Sequence, residues 1–161
     1  MHGSPERHTP YMTAFCALFL LQFLSTAPAL AEDAAYYTGS LSCRPCHREQ
    51  YDNFRQYAKK SRSYRSIEKM QKGLSGEDLK ECYACHTTGY GKPGGFISPE
   101  KTPHLKNAGC EVCHGPGSRH LETRKAEHIK SRLSIADCRG CHTSERVKAF
   151  RYKPLIHGGG H

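Results

Sequence analysis

The stretch Cys43-Arg44-Pro45-Cys46-His47 decides the fold, and its pattern, C-x-x-C-H, occurs four times in the chain. The other copies are Cys82-Tyr83-Ala84-Cys85-His86, Cys110-Glu111-Val112-Cys113-His114 and Cys138-Arg139-Gly140-Cys141-His142. Two thiols three residues apart lie on one helical turn, where both can add to the vinyl groups of one haem, and the adjoining histidine reaches the iron. The pattern therefore predicts four covalently attached c-type haems.

Three other uses of paired cysteines fit this sequence less well. A zinc ribbon does not need a histidine after every second cysteine. A redox-active dithiol normally occurs once, beside a strand–helix–strand pattern that this chain lacks. Disulfides within each pair would not explain four repeats, and of the nine cysteines only Cys16 lies outside the motifs.

The motifs assign the cofactor-binding residues. Thioether attachment is predicted at Cys43, Cys46, Cys82, Cys85, Cys110, Cys113, Cys138 and Cys141. The iron ligands on the attached side are predicted to be His47, His86, His114 and His142. No catalytic residue is assigned.

The second axial ligand of each iron has to come from elsewhere, or the iron stays open to small molecules. Beyond residue 31, the candidates outside the motifs are His104, His120, His128, His157 and His161, with Met70 as the only methionine. Five histidines for four positions favour bis-histidine ligation at most or all haems. Low reduction potentials are therefore expected, since methionine ligation raises the potential.

The fold class follows from what the chain lacks. Aliphatic residues are scattered beyond residue 31 and no long apolar strand occurs. A chain of this size could hardly bury a sufficient core from such side chains, so the porphyrins are expected to provide the apolar interior. We expect a mainly α-helical multihaem cytochrome c with extensive irregular loops, built around its covalently attached haems.

The segment between the first two motifs is expected to be helical. Apolar residues recur at spacings of three to six over residues 48–74, which predicts one helix or two short ones ending at Gly73. Ser75, followed by Glu77 and Asp78, is typical of the start of a short helix that leads into the second motif.

The later segments are expected to be less regular. Residues 87–109 are rich in Gly, Pro and Thr and predict a loop. A turn at 115–118 is expected to precede a helix over 118–131, on which His120 and His128 would share one side. Residues 152–161 are expected to wrap the surface.

The N-terminal residues predict export. A short polar segment, an apolar run over 12–24 and the sequence Ala29-Leu30-Ala31 together indicate a cleaved signal peptide over residues 1–31. The apolar run is short for a membrane anchor, and Cys16 lies inside it, which disfavours a lipoprotein. Residues 32–161 are then one tetrahaem domain, periplasmic or extracellular, with no stable membrane insertion after cleavage.

The net charge of +9 has an internal explanation. Haem propionates would offset most of it, so the basic residues are expected to act chiefly as counter-charge. Nucleic-acid binding is not expected of an exported haem protein. A residual basic face could still meet an acidic redox partner.

Three stretches resemble the tetrahaem cytochrome c-554 family: residues 37–40, residues 85–90, and residues 109–117 with His120. The similarity spans about residues 36–158. It implies a mainly helical fold with closely stacked haem pairs that shuttles electrons between redox enzymes, the best-known member accepting them from hydroxylamine oxidoreductase. By the same resemblance, His120 and His157 match distal ligands.

One residue departs from the family pattern. The family usually has a histidine after a serine near Ser61, where this chain has Arg62, which cannot ligate iron. No histidine occurs between residues 48 and 85. Either His104, His128 or His161 substitutes, or a neighbouring subunit donates a histidine, or one haem is five-coordinate, as the resemblance suggests would be tolerated.

Three functions remain in competition. The first is a low-potential electron carrier that works between a redox donor and an acceptor and is not an enzyme. The second is an enzyme that reduces nitric oxide or a similar molecule at an open haem. The third is a subunit of an extracellular haem filament, since related small tetrahaem proteins polymerise, with self-association through a shared histidine.

Overall fold

The computed structural model describes residues 34–143, and in this range the regular structure is helical, with no strand. The α-helices there are α1 Arg48–Tyr57, α2 Tyr64–Met70, α3 Gly76–His86, α4 Glu111–His114, α5 Ser118–Thr123 and α6 Ile135–Arg139. Short 3-10 helices cover Ser40–Cys43, Lys59–Arg62, Gln71–Gly73, Pro103–Leu105 and Ala126–His128. The mainly helical class with irregular loops is confirmed for this range. The predicted signal peptide, the tail from residue 152, His157 and His161 lie outside it.

The predicted helical segment over 48–74 forms two short α-helices, α1 and α2, and its last 3-10 turn ends at Gly73 as expected. The helical conformation is interrupted at Ala58, which has an extended conformation. Arg62 binds the end of α1 before this interruption: its Nη2 donates to the carbonyls of Arg55 at 3.0 Å and Gln56 at 3.2 Å. Arg62 is therefore a cap of the α1 C-terminus, where a cation is favourable.

Helix α3 begins where the sequence predicted. The Ser75 hydroxyl accepts from the Asp78 backbone N–H at 3.2 Å, while Asp78 Oδ2 accepts from the Ser75 N–H at 3.0 Å, a capping box. The helix then runs through the second motif to His86. This motif is therefore held on a regular helix.

A small aromatic core packs α2 against α3. Tyr64, Ile67, Phe96 and Leu105 are buried together. Tyr83 of α3 stacks on Tyr64 with ring centroids 6.2 Å apart and meets Phe96 edge-on at 5.0 Å. Of the motif residues, Cys82 lies at the edge of this core, so the second motif rests on protein side chains.

Hydrogen bonds join the segments around three of the motifs into what we call the central frame, residues 38–40, 88 and 107–111. The Thr88 hydroxyl donates to the Asn107 carbonyl at 2.6 Å and accepts from the Gly109 N–H at 2.9 Å. The Ser40 hydroxyl accepts from the Cys110 N–H at 3.0 Å. Side chains and backbone of distant segments thus fix the relative placement of the first three motifs.

The predicted helix over 118–131 is wrong in length. Helix α5 ends at Thr123 because Arg124 takes a left-handed conformation with φ 59°. Residues other than glycine adopt this conformation only singly, so a right-handed helix cannot continue through it. The Arg124 guanidinium donates to Cys46 Sγ at 2.9 Å. Since the helix ends there, His120 and His128 do not share one helix side as expected.

Helix α6 leads into the fourth motif and begins with a second capping box. The Ser134 N–H donates to Asp137 Oδ2 at 2.8 Å, and the Lys130 ammonium is hydrogen-bonded to Asp137 Oδ1. The Lys130 contact, followed by the Ser134 backbone, lowers the pKa of Asp137 from 3.8 to about 2. The ionised carboxylate therefore holds the start of this helix.

Acid should weaken the α6 start. Because the pKa of Asp137 is lower in the folded chain than in the unfolded chain, its contribution is complete above about pH 4 and is lost as the pH falls towards about 2. Urea unfolding measured at several pH values across this window should show less acid sensitivity in Asp137→Asn than in the unmodified protein. Equal acid sensitivity in the two proteins would contradict the assignment.

No helix within residues 34–143 combines the length and apolar character that crossing a membrane requires.

Candidate haem sites

The first and third motifs face one large cavity. It has a volume of about 710 Å³, within the range of sites that enclose organic ligands. Its wall includes the complete cysteine and histidine sets of these two motifs, together with His120. The remaining wall is largely apolar, with Tyr51, Phe54, Leu121, Ile129 and Leu133. Such a cavity fits flat apolar groups held from two sides.

His120 lies opposite His47 across part of this cavity. The two ring centroids are 6.2 Å apart and the rings are inclined by 31°. Imidazole nitrogens bind metal ions at about 2 Å, so two imidazoles on one iron have ring centroids about 6 Å apart. The observed spacing fits an iron between these two rings, and His47 and His120 are therefore suited to ligate the first haem.

Several ring nitrogens are oriented by backbone carbonyls. Nδ1 of His86 lies 2.9 Å from the Ser63 carbonyl, Nδ1 of His114 lies 2.7 Å from the Lys130 carbonyl, and Nδ1 of His120 lies 2.8 Å from the Lys125 carbonyl. A carbonyl can only accept, so each Nδ1 carries the proton. Nε2 is then left with its lone pair, which is the usual arrangement of a metal-binding histidine.

The fourth motif lies near Lys60, which also lines the cavity of the first and third motifs. Burial, and to a lesser degree the Lys60 ammonium, lowers the pKa of His142. Both effects favour the neutral imidazole, which is the form that ligates iron. Lys60 therefore places positive charge between the cavity of the first and third motifs and the fourth motif.

The cysteines show which motifs are neighbours, and none of the eight in the described range forms a disulfide. Cys43 and Cys110 share a hydrogen bond, which raises the pKa of Cys43 and lowers that of Cys110 to about 6. Burial and the nearby Cys85 raise the pKa of Cys141 to about 12. The first motif thus contacts the third, and the second contacts the fourth.

The two pairs of motifs approach each other at Cys113. This thiol acts electrostatically on both cysteines of the fourth motif. The motifs therefore follow one another in space in the order first, third, fourth and second, which differs from their order in the chain.

The other distal candidates in the described range do not line the cavity. His104 is exposed and packs on Gly39, where an added Cβ would lie 3.2 Å from His104 Cδ2. His128 lies 2.7 Å from the Thr123 hydroxyl, which donates its own proton to the Arg119 carbonyl. The Nδ1 of His128 must then be the donor, so its Nε2 also keeps a lone pair.

Residues that the sequence did not single out also shape these sites. The Ser63 hydroxyl donates to the His86 carbonyl at 2.8 Å, while its own carbonyl accepts from that histidine ring. The Lys125 and Lys130 carbonyls orient two more imidazoles. A backbone carbonyl does not depend on residue type, so no sequence signal could have identified these carbonyls. Lys60, in contrast, could have been identified from the sequence as a cation near the haem sites.

Comparisons with known proteins identify relatives of this chain. Residues 42–115 match the family described as "Cytochrome c554 and c-prime". The chain is also 31% identical to "Cytochrome c-554" of Nitrosomonas europaea over 118 residues, which covers 67% of this chain and 48% of that protein. The chain therefore spans about half the length of this curated relative. No solved structure matches the chain significantly.

The motifs, their cavity and these matches define a c-type cytochrome, a class whose covalently bound haem serves electron transfer. More narrowly, the chain belongs to the cytochrome c-554 family. The resemblance drawn from the sequence is thereby confirmed.

Proposed function

We propose that this protein is an exported, low-potential tetrahaem cytochrome that transfers electrons between redox partners. The observation that carries the proposal is the cavity shared by the first and third motifs. Two haems held there would lie close together, and short separations are what electron exchange between cofactors requires. Each haem, when bound, supplies an iron that alternates between its ferric and ferrous states.

The chain would hold its four haems by the eight motif cysteines, with His47, His86, His114 and His142 as the ligands on the attached side. His120 is assigned to the first haem, because its ring lies at the right spacing from His47. Ligation of that iron by two histidines favours the ferric state and a low reduction potential. The contacts of the second motif with the fourth support a second close pair.

Export and partners rest on the sequence. The signal peptide over residues 1–31 would direct the chain to the periplasm, or beyond it, where it would meet a donor and an acceptor. The exposed cations Lys59, Arg62 and Arg65, which lie on the 3-10 helix after α1 and on α2, suit an acidic partner protein. Self-association through His161 stays a prediction, because that residue lies outside the described range.

A second candidate function is reduction of a small molecule, such as nitric oxide, at an open haem. The observation that favours it is the role of Arg62, which caps α1 where the family pattern has a histidine. Among the histidines of residues 34–143, only His120 faces a motif histidine across the cavity. An iron without a sixth ligand would bind small molecules directly.

Electron paramagnetic resonance of the oxidised protein, with mass spectrometry of the purified chain, tests both functions. We expect a mass equal to residues 32–161 plus four haems, and low-spin ferric signals for the carrier. A high-spin signal equivalent to one haem would favour the enzyme instead. Fewer than four attached haems would contradict the tetrahaem assignment itself.

A further inference from the structure

Glu111 is a buried carboxylate that ligates nothing in the proposed haem sites. It lies between Cys110 and Cys113 in the third motif, and its side chain is buried, with 2% of the residue exposed. A buried carboxylate is costly unless donors surround it. Here the N–H groups of Thr38, Gly39 and Gly117 donate to it at 2.9, 2.7 and 2.7 Å. Among the described residues its charge is thus compensated by three backbone donors and the Thr38 hydroxyl, and no cation forms a salt bridge with it.

These donors come from the two segments that deliver the first haem's ligands. Thr38 and Gly39 directly precede the 3-10 helix Ser40–Cys43, which starts the first motif. Gly117 directly precedes α5, which carries His120. The chain reaches Gly117 through Gly115, whose φ of 79° reverses its direction. A single carboxylate therefore connects the start of the His47 motif with the start of the His120 helix.

Other hydrogen bonds also tie these segments: the Arg124 guanidinium, just after α5, donates to Cys46 Sγ at 2.9 Å, and the Ser118 N–H donates to the Tyr36 carbonyl at 3.3 Å. The Tyr36 N–H donates to the Ser118 hydroxyl at 2.9 Å, a bond between neutral groups. Bonds to a charged acceptor are roughly twice as strong as neutral ones. Within the described range, Glu111 is accordingly the strongest polar link between the residues before the first motif and the start of α5.

We propose that Glu111 is a positioning residue that holds His120 against the iron of the first haem. The inference rests on the proposed ligation of that haem by His47 and His120. Glu111 does not touch the iron, and it acts by fixing Gly117 and thereby the first turn of α5. Leu121 continues this turn through its N–H, which donates to the Gly117 carbonyl at 2.9 Å.

The test is Glu111→Gln in the haem-loaded protein, with free imidazole as the probe. Glutamine keeps the shape of the side chain but removes the charge and turns one acceptor into an amino group facing an N–H donor. His120 should then leave the iron more often, and free imidazole, detected by its change in the absorption spectrum, should bind about tenfold more tightly. Loss of the nearby negative charge should also raise the midpoint potential of that haem.

Ser118→Ala is the matched control, since it removes one neutral side-chain link at the start of α5 and leaves Glu111 in place. Its imidazole affinity should equal that of the unmodified protein. If Glu111→Gln also binds imidazole with unchanged affinity, while losing stability, then the carboxylate is only structural and the inference is overturned. Glu111→Asp, which keeps the charge with a shorter reach, provides the same comparison if the glutamine variant does not accumulate, and its effect should be smaller.

His120→Ala separates the two proposals. If this variant keeps every haem low-spin, the ligation of the first haem by His120 fails, and the inference about Glu111 fails with it. If His120→Ala produces an open haem but Glu111→Gln and Glu111→Asp leave imidazole binding unchanged, only the positioning role is refuted.

Discussion

His120→Ala is expected to convert one haem per chain from a low-spin to a high-spin ferric state. The ring of His120 stands 6.2 Å from that of His47, and its Nδ1 is fixed by the Lys125 carbonyl, so Nε2 is the free nitrogen at that iron. No other histidine of residues 34–143 lines this cavity apart from those of the two motifs. Electron paramagnetic resonance of the oxidised variant should therefore gain a high-spin signal of about one haem equivalent.

Leu121→Ala is the control for this prediction. It removes a neighbouring side chain from the cavity wall but no nitrogen, so every haem should keep its spin state while stability falls. An unchanged spectrum in His120→Ala would show that another group ligates the first haem. Equal high-spin signals in both variants would mean that any loosening of α5 opens the site.

Gly95→Ala should unfold the loop between the second and third motifs. Gly95 is buried, and a Cβ added there would overlap the carbonyl of Gly89, which is backbone and has no way to move aside without breaking the loop. The adjoining bond from the Phe96 N–H to the Thr88 carbonyl, at 2.9 Å, would be strained at the same time. We expect a loss of about 3 kcal/mol of unfolding free energy, near the upper end of overpacking costs, measured by denaturant titration.

Gly73→Ala provides the matched comparison. Nothing lies within 4 Å of an added Cβ at Gly73, and its φ is not in the left-handed region. This variant should be neutral or slightly more stable, because alanine restricts the unfolded chain. A loss in Gly73→Ala as large as that in Gly95→Ala would show that the cost comes from losing glycine flexibility and not from the collision.

The sequence predicted those parts of the structure that depend on local chemistry. The start of α3 at Ser75 follows from a side chain that bonds its own neighbours, and the end of the preceding segment at Gly73 follows from local conformational preference. The haem motifs are equally local, because five consecutive residues contain both thiols and the ligand. Such features need no knowledge of the rest of the fold.

The sequence failed where distant segments decide the outcome. Helix α5 was expected to run to residue 131, but Arg124 takes a left-handed conformation while its guanidinium donates to Cys46 of the first motif. The facing of His47 and His120 likewise depends on the buried carboxylate of Glu111 and on the central frame. Neither contact could be derived from spacing along the chain, since each joins the first motif to a residue far along the sequence and outside the motifs.

The proposed ligation of one iron by His47 and His120 also has a consequence for the order of events during synthesis. A chain is synthesised from its N-terminus, so Cys43, Cys46 and His47 are made well before His120. Until α5 is complete, a haem attached at the first motif has only one protein ligand from this pair. If a haem were attached to a partial chain that ends before His120, its iron would lack the second ligand proposed here, so complete ligation of the first haem requires most of the chain's length.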